Sequence, residues 1–214
     1  MMTAEQYVES RGLPASVASE WFLRYGWDGS WPMLENRIVI PIFSFTGRLL
    51  ALAGRSLSVE DKPKYLFTPG WDKNRWLYGV WREIKSIPVI VEGYLDVWAL
   101  SLCNYTGFAV MGSVISDWQA ALIAGMSDKV IIYPHNDDDG VEWKYKLRSY
   151  GVKSVIPTHP YPIGAPLKTM GDNETADPHW LYVNQKAWLQ MNLDICRKKL
   201  KEPSLNDILT EEIT

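Results

Sequence analysis

The sequence predicts an α/β protein: a mostly parallel sheet flanked by helices, preceded by a smaller α+β subdomain. Two patterns carry this. From residue 88 onward, short apolar runs alternate with helix-like segments, which implies βαβ units and parallel pairing. Upstream, residues 37–57 hold two β-rich runs split by Thr46-Gly47-Arg48, a hairpin signal. No internal repeat or low-complexity tract interrupts the pattern.

The elements follow in order. Residues 4–27 read as two short helices broken at Gly12-Leu13-Pro14. The hairpin comes next, and residues 61–81 then read as a basic, aromatic loop region punctuated by Pro and Gly. Val89–Val91 is a short buried strand that runs into a helix. A second strand, FAVMGS, ends in Gly112, and the helix after it has Ser116 or Asp117 near its N-cap. KVIIYP is a third strand, followed by the polar HNDDDG and a helix over 141–151, and KSVIP is a fourth. Residues 161–178 read as a long loop, 180–201 as a helix, and the last dozen as a docking helix or a frayed tail. The expected boundaries are 1–85, 86–184 and a helical tail at 185–214. In that tail Trp188, Met191 and Ile195 stand at near-helical spacing and are expected to pack on the core rather than dock a partner.

Composition excludes several classes. Hydrophobic residues make up 47% of the 214, which suits a sizeable core and not a disordered chain. No run approaches the roughly 20 apolar residues of a spanning helix, and no basic-then-apolar leader opens the chain. A cytoplasmic protein without a membrane partner is expected. Cys103 and Cys196 lack C-x-x-C spacing, so neither a disulfide framework nor a zinc module is expected. The net charge of −3 is unevenly spread: residues 37–75 hold seven Lys/Arg against three Asp/Glu. A basic segment ahead of an acidic half suits a polyanion-binding surface beside a metal site, and equally a solvated charged face.

The chemistry-bearing residues fall at strand ends. In open α/β sheets ligands sit beyond the carboxyl ends of the strands. Glu92, Gly112 and the run His135–Asp139 all lie there. Glu92 directly follows a buried apolar strand, where an acid needs a partner. Asp96 stands one helical turn on, so both carboxylates can face one side. Carboxylates converging from two strand ends suit a hard divalent cation. Asp137, Asp138 and Asp139 also read as acids favoured by a helix dipole.

PVIVEGYLDVWAL resembles the first motif of the Toprim domain, in the VEGYxDV form of DnaG-type primases. FAVMGSVISDWQAALI resembles the strand, Gly-Ser turn and Gln-bearing helix that follow in that family, and KVIIYPHNDDDG takes the place of its D-x-D-x-x-G motif. Upstream, YVESRGL, RIVIPIFSFTGRLLALAGRSL and KPKYLFTPGWDKNRWLYGV resemble the primase amino-terminal subdomain in order. The resemblance covers residues 5–180 and implies a Toprim-like sheet and synthesis of short RNA primers from ribonucleotides on a single-stranded DNA template. It implies Mg2+ or Mn2+ as cofactor. It makes Glu92 the base or metal organiser near the 3′ hydroxyl, with Asp96 and Asp137 as further catalytic carboxylates. The implied metal set is Glu92, His135, Asp137, Asp139 and Asp177. Arg37, Arg55, Lys64, Tyr65, Lys73, Gly93 and Gly112 are the implied nucleic-acid and nucleotide contacts.

Two departures from the family stand out. Placing Gly140 on the family glycine puts His135 at the first acid and Asp137 at the second; the shifted register Asp137-x-Asp139 restores both acids but misplaces the glycine. The first is preferred, because the strand leads straight into His135. The Asp-Pro-Asp segment looks like Asp177-Pro178-His179, with Asp172 as a rival. Histidines at two acid positions suit Mn2+ better than Mg2+. They also suit a degraded metal site, as in a non-catalytic, primase-like protein binding single-stranded DNA or a replication partner. A Toprim nuclease is a third reading, disfavoured by the first 85 residues. Expected partners are the template, ribonucleotides, the primer, and a replicative helicase or a separate zinc-binding template-recognition protein. The stripped-down architecture suggests a phage or mobile element, acting in the bacterial host cytoplasm.

Overall fold

The computed structural model describes residues 2–27, 31–58, 60–134, 137–157 and 178–201. The chain divides into two units, Met1–Lys73 with Tyr78–Glu83, and Asn74–Leu77 with Ile84–Thr214.

The first unit opens with α1 (Ala4–Ser10) and α2 (Ser16–Glu20). Thr3 and Gln6 form a reciprocal capping box at the start of α1, the Thr3 hydroxyl accepting from the Gln6 amide and the Gln6 side chain accepting from the Thr3 amide. The sheet is antiparallel, in the order β1 (Arg24–Tyr25), β2 (Arg37–Phe43), β3 (Leu49–Ser56), β4 (Tyr65–Phe67). β2 and β3 are the expected hairpin, and Gly47 supplies the positive φ of 76° that its turn requires. β4 falls inside the segment expected to be loop, and it pairs Tyr65 with Arg55. Aromatic rings close the base of this unit. Trp21 stacks on Tyr78 at 5.4 Å, and Trp81 meets Trp21 edge-on at 5.3 Å. The Arg82 guanidinium lies over Trp21 and pairs with Glu20.

The second unit is built on a parallel sheet in the order β6 (Gly107–Ala109), β5 (Val89–Val91), β7 (Lys129–Tyr133), β8 (Lys153–Val155). The helices are α3 (Tyr94–Leu102), α4 (Asp117–Met126), α5 (Asp137–Ser149) and α6 (Pro178–Lys201). β5 is central, and Val89, Ile90 and Val91 are wholly buried, which is why three apolar residues suffice as a strand signal. α5 starts at Asp137, earlier than expected, so the acidic run forms its first turn instead of a preceding loop. α6 runs unbroken through position 184/185, where a tail was expected to begin. Its buried seam is Leu181, Leu189, Leu193, Cys196 and Leu200, and it packs on α3, β7 and β8. Met191 and Ile195 of the expected stripe are exposed instead. Burying each of these leucines contributes roughly 1.5–3 kcal/mol. Tyr105 anchors the same helix by donating to Asp194 Oδ1 at 2.6 Å; burial, then Asp194, pushes its pKa up to about 12. Among the described residues no helix is long and apolar enough to cross a membrane.

Gly140 and Gly125 make a controlled pair. A β-carbon on Gly140 would lie 2.8 Å from Pro134 Cγ and 3.2 Å from Ile156 Cδ1, whereas one on Gly125 meets nothing within 4 Å. Gly140→Ala should destabilise by about 1–3 kcal/mol, and Gly125→Ala should stabilise by about 0.5–1 kcal/mol. Urea unfolding of the two variants checks both signs.

Candidate active site

Three strand ends define the carboxyl edge of the parallel sheet. Val91 of β5 is in register with Ala109 of β6 and Tyr133 of β7. Glu92 is therefore the first residue past the central strand. It is half-buried, and its carbonyl accepts from the Met111 amide at 2.9 Å. Met111 holds φ at 60°, a left-handed conformation that costs a side-chain-bearing residue of order 1–3 kcal/mol. That strained turn redirects the chain into Gly112 and Ser113 and ties it to the backbone of Glu92.

Asp96 occupies a different environment from the one expected of it. It is only 2% exposed. Its Oδ2 accepts from the Gly93 amide and its Oδ1 from the His179 amide, each at 3.2 Å. The first bond caps α3 and the second caps α6, so a single buried carboxylate satisfies orphan amides of two helices. Gly93 permits the approach, since a β-carbon there would lie 3.2 Å from Asp96 Oδ2.

The acids of the third strand end sit on α5. Asp137 begins that helix and Asp139 is half-buried in its first turn, where the helix dipole favours negative charge. Gly140 packs against Pro134 and so sets the path from β7 into the helix. Trp143 of the same helix is buried and donates from Nε1 to the Ser113 carbonyl at 2.8 Å, which ties α5 to the turn after Gly112. His135, Asp172, Asp177 and the side chain of Asp137 lie outside the described residues. Among the described residues no three His, Cys, Asp or Glu side chains gather closely enough to hold a metal ion. Of the expected metal set only Glu92 and Asp139 have described side chains, and both offer the carboxylate oxygens that a hard cation prefers.

The basic residues belong to the first unit. Arg37 acts as a strut: its Nη1 donates to the carbonyls of Gly54 at 3.2 Å and Pro63 at 3.0 Å. Its stem lies where a Gly54 β-carbon would be, 3.0 Å from Arg37 Cδ. Arg55 donates to the Tyr65 hydroxyl at 3.0 Å and lies over the Tyr65 ring at 5.0 Å, which fixes the guanidinium. Arg55 and Lys64 line a cavity of about 470 Å³ together with Tyr7, Ser10, Arg11 and Lys62. Asp61 is the one acid in its lining among the described residues. Burial, with Arg55 and Arg11 nearby, holds the Lys64 ammonium below its ordinary pKa. Lys73 lies in a short 3-10 turn, Lys73–Arg75, and is not part of this cleft's lining.

Sequence reasoning missed Arg11 and Gln119. Arg11 sits outside the basic window at 37–75, within a segment read only as helix. Gln119 is fully buried, and its Nε2 donates to the carbonyls of Trp76 at 2.8 Å and Val110 at 2.9 Å. A glutamine on an apolar helix face was the available signal for it, because such a group must find partners.

Solved structures share this architecture. The Aquifex aeolicus primase zinc-binding and RNA polymerase domains match with a TM-score of 0.70 at 22% identity, over 91% of this chain and 55% of that one. A DnaG catalytic core matches with a TM-score of 0.67 at 22% identity, over 90% and 72% of the respective chains. The fold is that of a primase catalytic core. Residues 3–83 match the family described as the DNA primase catalytic core, N-terminal domain. DNA primase of Halalkalibacterium halodurans is 34% identical over 123 residues, 52% of this chain and 20% of the relative. That of Synechococcus elongatus is 30% identical over 160 residues, 69% of this chain and 23% of the relative. Residues 3–83 thus carry the primase catalytic-core N-terminal domain, the chain is similar to DnaG-type primases, and it spans about a fifth to a quarter of the length of these two relatives.

Asp96→Asn should leave one backbone amide facing an NH2 group. The expected cost is about 1–3 kcal/mol, together with faster hydrogen exchange of the His179 amide. Unchanged exchange at His179 would show that Asp96 does not hold the start of α6.

Proposed function

We propose that the chain is a template-directed RNA polymerase that makes short primers on single-stranded DNA. The observation that carries the reading is Glu92, half-buried at the end of the central parallel strand and tied to a strained turn, in a chain whose residues 3–83 match the primase N-terminal domain. Strain held next to a single acid is a feature of reactive sites. A DnaG catalytic domain solved bound to single-stranded DNA, with a TM-score of 0.65 at 21% identity, supports that choice of template.

In this reading Glu92 orients the primer 3′ hydroxyl and receives its proton. Glu92, Asp137 and Asp139 would hold Mg2+ or Mn2+, with His135 and Asp177 as further ligands. Such a cation lowers the pKa of the attacking hydroxyl and neutralises charge on the phosphoryl group. Asp96 is a positioning residue: with both oxygens on backbone amides, it fixes Gly93 and the start of α6. Arg55 and Lys64 hold template, primer or nucleotide phosphates in the basic cleft, with Tyr65 locking Arg55 in place. Arg37 supports the loop that carries Lys64. Lys73 and the Gly112 turn complete the proposed contacts. A replicative helicase or a separate template-recognition protein is the proposed partner, and the bacterial cytoplasm the proposed compartment.

The test is primer synthesis on circular single-stranded DNA with four ribonucleotides, one of them radiolabelled. Wild type should make short labelled RNA, and Glu92→Gln should lose roughly 10²–10⁴-fold of that rate. Mn2+ should support more product than Mg2+ if histidines replace two acids; equal activity across a titration of both ions overturns that preference. No RNA with either ion, together with salt-sensitive DNA binding that Glu92→Gln does not change, would make the chain a non-catalytic DNA-binding module. Linearised circles would identify a nuclease.

A further inference from the structure

We infer that Trp143 is a positioning residue for the divalent cation: its indole N–H, bonded to the Ser113 carbonyl, sets how the acid-bearing start of α5 stands relative to Glu92. The inference rests on the proposed function for the cation's place at Glu92 and Asp139.

The geometry starts from the helix period. Asp139, Trp143 and Leu147 recur every four residues, and Gly140 stands three before Trp143, so all four share one face of α5. Trp143 is 1% exposed and Leu147 is wholly buried. Gly140 has no room for a β-carbon beside Pro134 and Ile156. That face is therefore the packed one, and half-buried Asp139 is its amino-terminal end. Trp143 and Asp139 are roughly 6 Å apart along the axis, at 1.5 Å per residue. A roll or slide of α5 that moved one would carry the other with it.

Trp143 is held by the same turn that holds Glu92. The Met111 amide donates to the Glu92 carbonyl at 2.9 Å, Gln119 Nε2 donates to the Val110 carbonyl at 2.9 Å, and Trp143 Nε1 donates to the Ser113 carbonyl at 2.8 Å. The end of β5, α4 and α5 thus all bond to residues 110–113. A stretch that keeps Met111 at a φ of 60° is one its surroundings over-determine. The two carboxylates stand on separate elements, so their relation is set by this path: Glu92 to Met111, Ser113 to Trp143, and Trp143 to Asp139. The other end of α5 is anchored elsewhere. Lys146 pairs with Asp117, and Tyr150, just past the helix, donates to Asp117 Oδ1 at 3.0 Å. The Trp143 bond therefore governs the acid-bearing end. Filling a helix seam needs only apolar volume; the indole adds a buried donor that ends on the turn beside Glu92. Groups that orient metal ligands without touching the metal govern its affinity by about 10- to 100-fold.

The test reads Mn2+ binding to the full chain, by electron paramagnetic resonance of the free ion, with primer synthesis as a second assay. Loss of binding in Glu92→Gln identifies the bound ion as the one at this site. Trp143→Phe keeps a ring in the seam and removes the N–H. It should weaken Mn2+ binding by about 10- to 100-fold. It should raise the Mn2+ concentration for half-maximal synthesis by the same factor, with the rate restored at saturating Mn2+. Leu147→Ala loosens the same seam without touching the Ser113 bond and should leave Mn2+ affinity unchanged. If Trp143→Phe does not fold, β-(3-benzothienyl)alanine at position 143 replaces only the N–H, by sulfur, and should give the same loss. Equal affinity in wild type and the position-143 variant, or an equal loss in Leu147→Ala, overturns the positioning role. Mn2+ binding and primer synthesis that Glu92→Gln abolishes but Trp143→Phe leaves unchanged overturn it and leave the polymerase reading standing. Mn2+ binding that Trp143→Phe weakens, in a chain that makes no primer, keeps the positioning role and removes the polymerase reading. Wild type that binds no Mn2+ overturns the positioning role, and its primer synthesis then decides the polymerase reading.

Discussion

A parallel sheet must satisfy the backbone groups beyond its strand ends, because there the ladder stops while the chain is still buried. In the second unit three buried side chains meet that demand. Asp96 takes the amides of Gly93 and His179, Gln119 takes the carbonyls of Val110 and Trp76, and Trp143 takes the carbonyl of Ser113. Each joins a strand-end segment to an element remote in sequence. Removing any one strands a buried donor or acceptor at a cost of about 1–3 kcal/mol. Their joint effect is to fix the backbone of Glu92, the Met111–Ser113 turn and the start of α6, which are the segments a reaction at this edge would need held still.

The same logic divides the acids by role. Asp96 was expected to act beside Glu92 as a catalytic carboxylate, because residues one helical turn apart can face one side. Glu92, however, precedes α3, whereas Asp96 is its third residue and turns back to cap it. A carboxylate that binds two amides is worth more as a cap than as an extra ligand, since withdrawing it would uncover two helix ends. In the proposed function the cation falls instead to Glu92 and the acids that open α5, a helix start where negative charge is favoured.

Legibility in the sequence tracked the range of the interaction. The parallel strands were readable because burial makes each a short apolar run, as in Val89–Val91 and Lys129–Tyr133. The place of Glu92 at the end of the central strand was readable because the buried apolar run stops at Val91. The hairpin was readable from Gly47. What stayed hidden depends on partners far along the chain. His179 is 83 residues from Asp96, Pro63 is 26 from Arg37, and the Trp76 carbonyl is 43 from Gln119. No local pattern announces these pairings. β4 escaped because Tyr65–Phe67 is only three residues long and its pairing with β3 supplies the stability. The packing seam of α6 was misplaced because Leu189, Leu193, Cys196 and Leu200 alternate with other apolar residues, and only the contacts with α3, β7 and β8 choose between the two faces.

Arginine shows most clearly why residue type alone does not assign a role. Arg37, Arg55 and Arg75 all lie in the basic window, and an exposed guanidinium on each would have looked the same from sequence. The fold uses them differently. Arg37 donates to two backbone carbonyls and ties the 57–64 segment to β3, so its charge is spent on architecture. Arg55 is oriented by Tyr65 at the wall of a cavity that also holds Arg11, Lys62 and Lys64, a concentration of like charge that an isolated fold gains nothing from. Arg75 is presented between two pinned carbonyls over an exposed indole. In the last two cases the protein orients the cation against an aromatic ring instead of against backbone carbonyls.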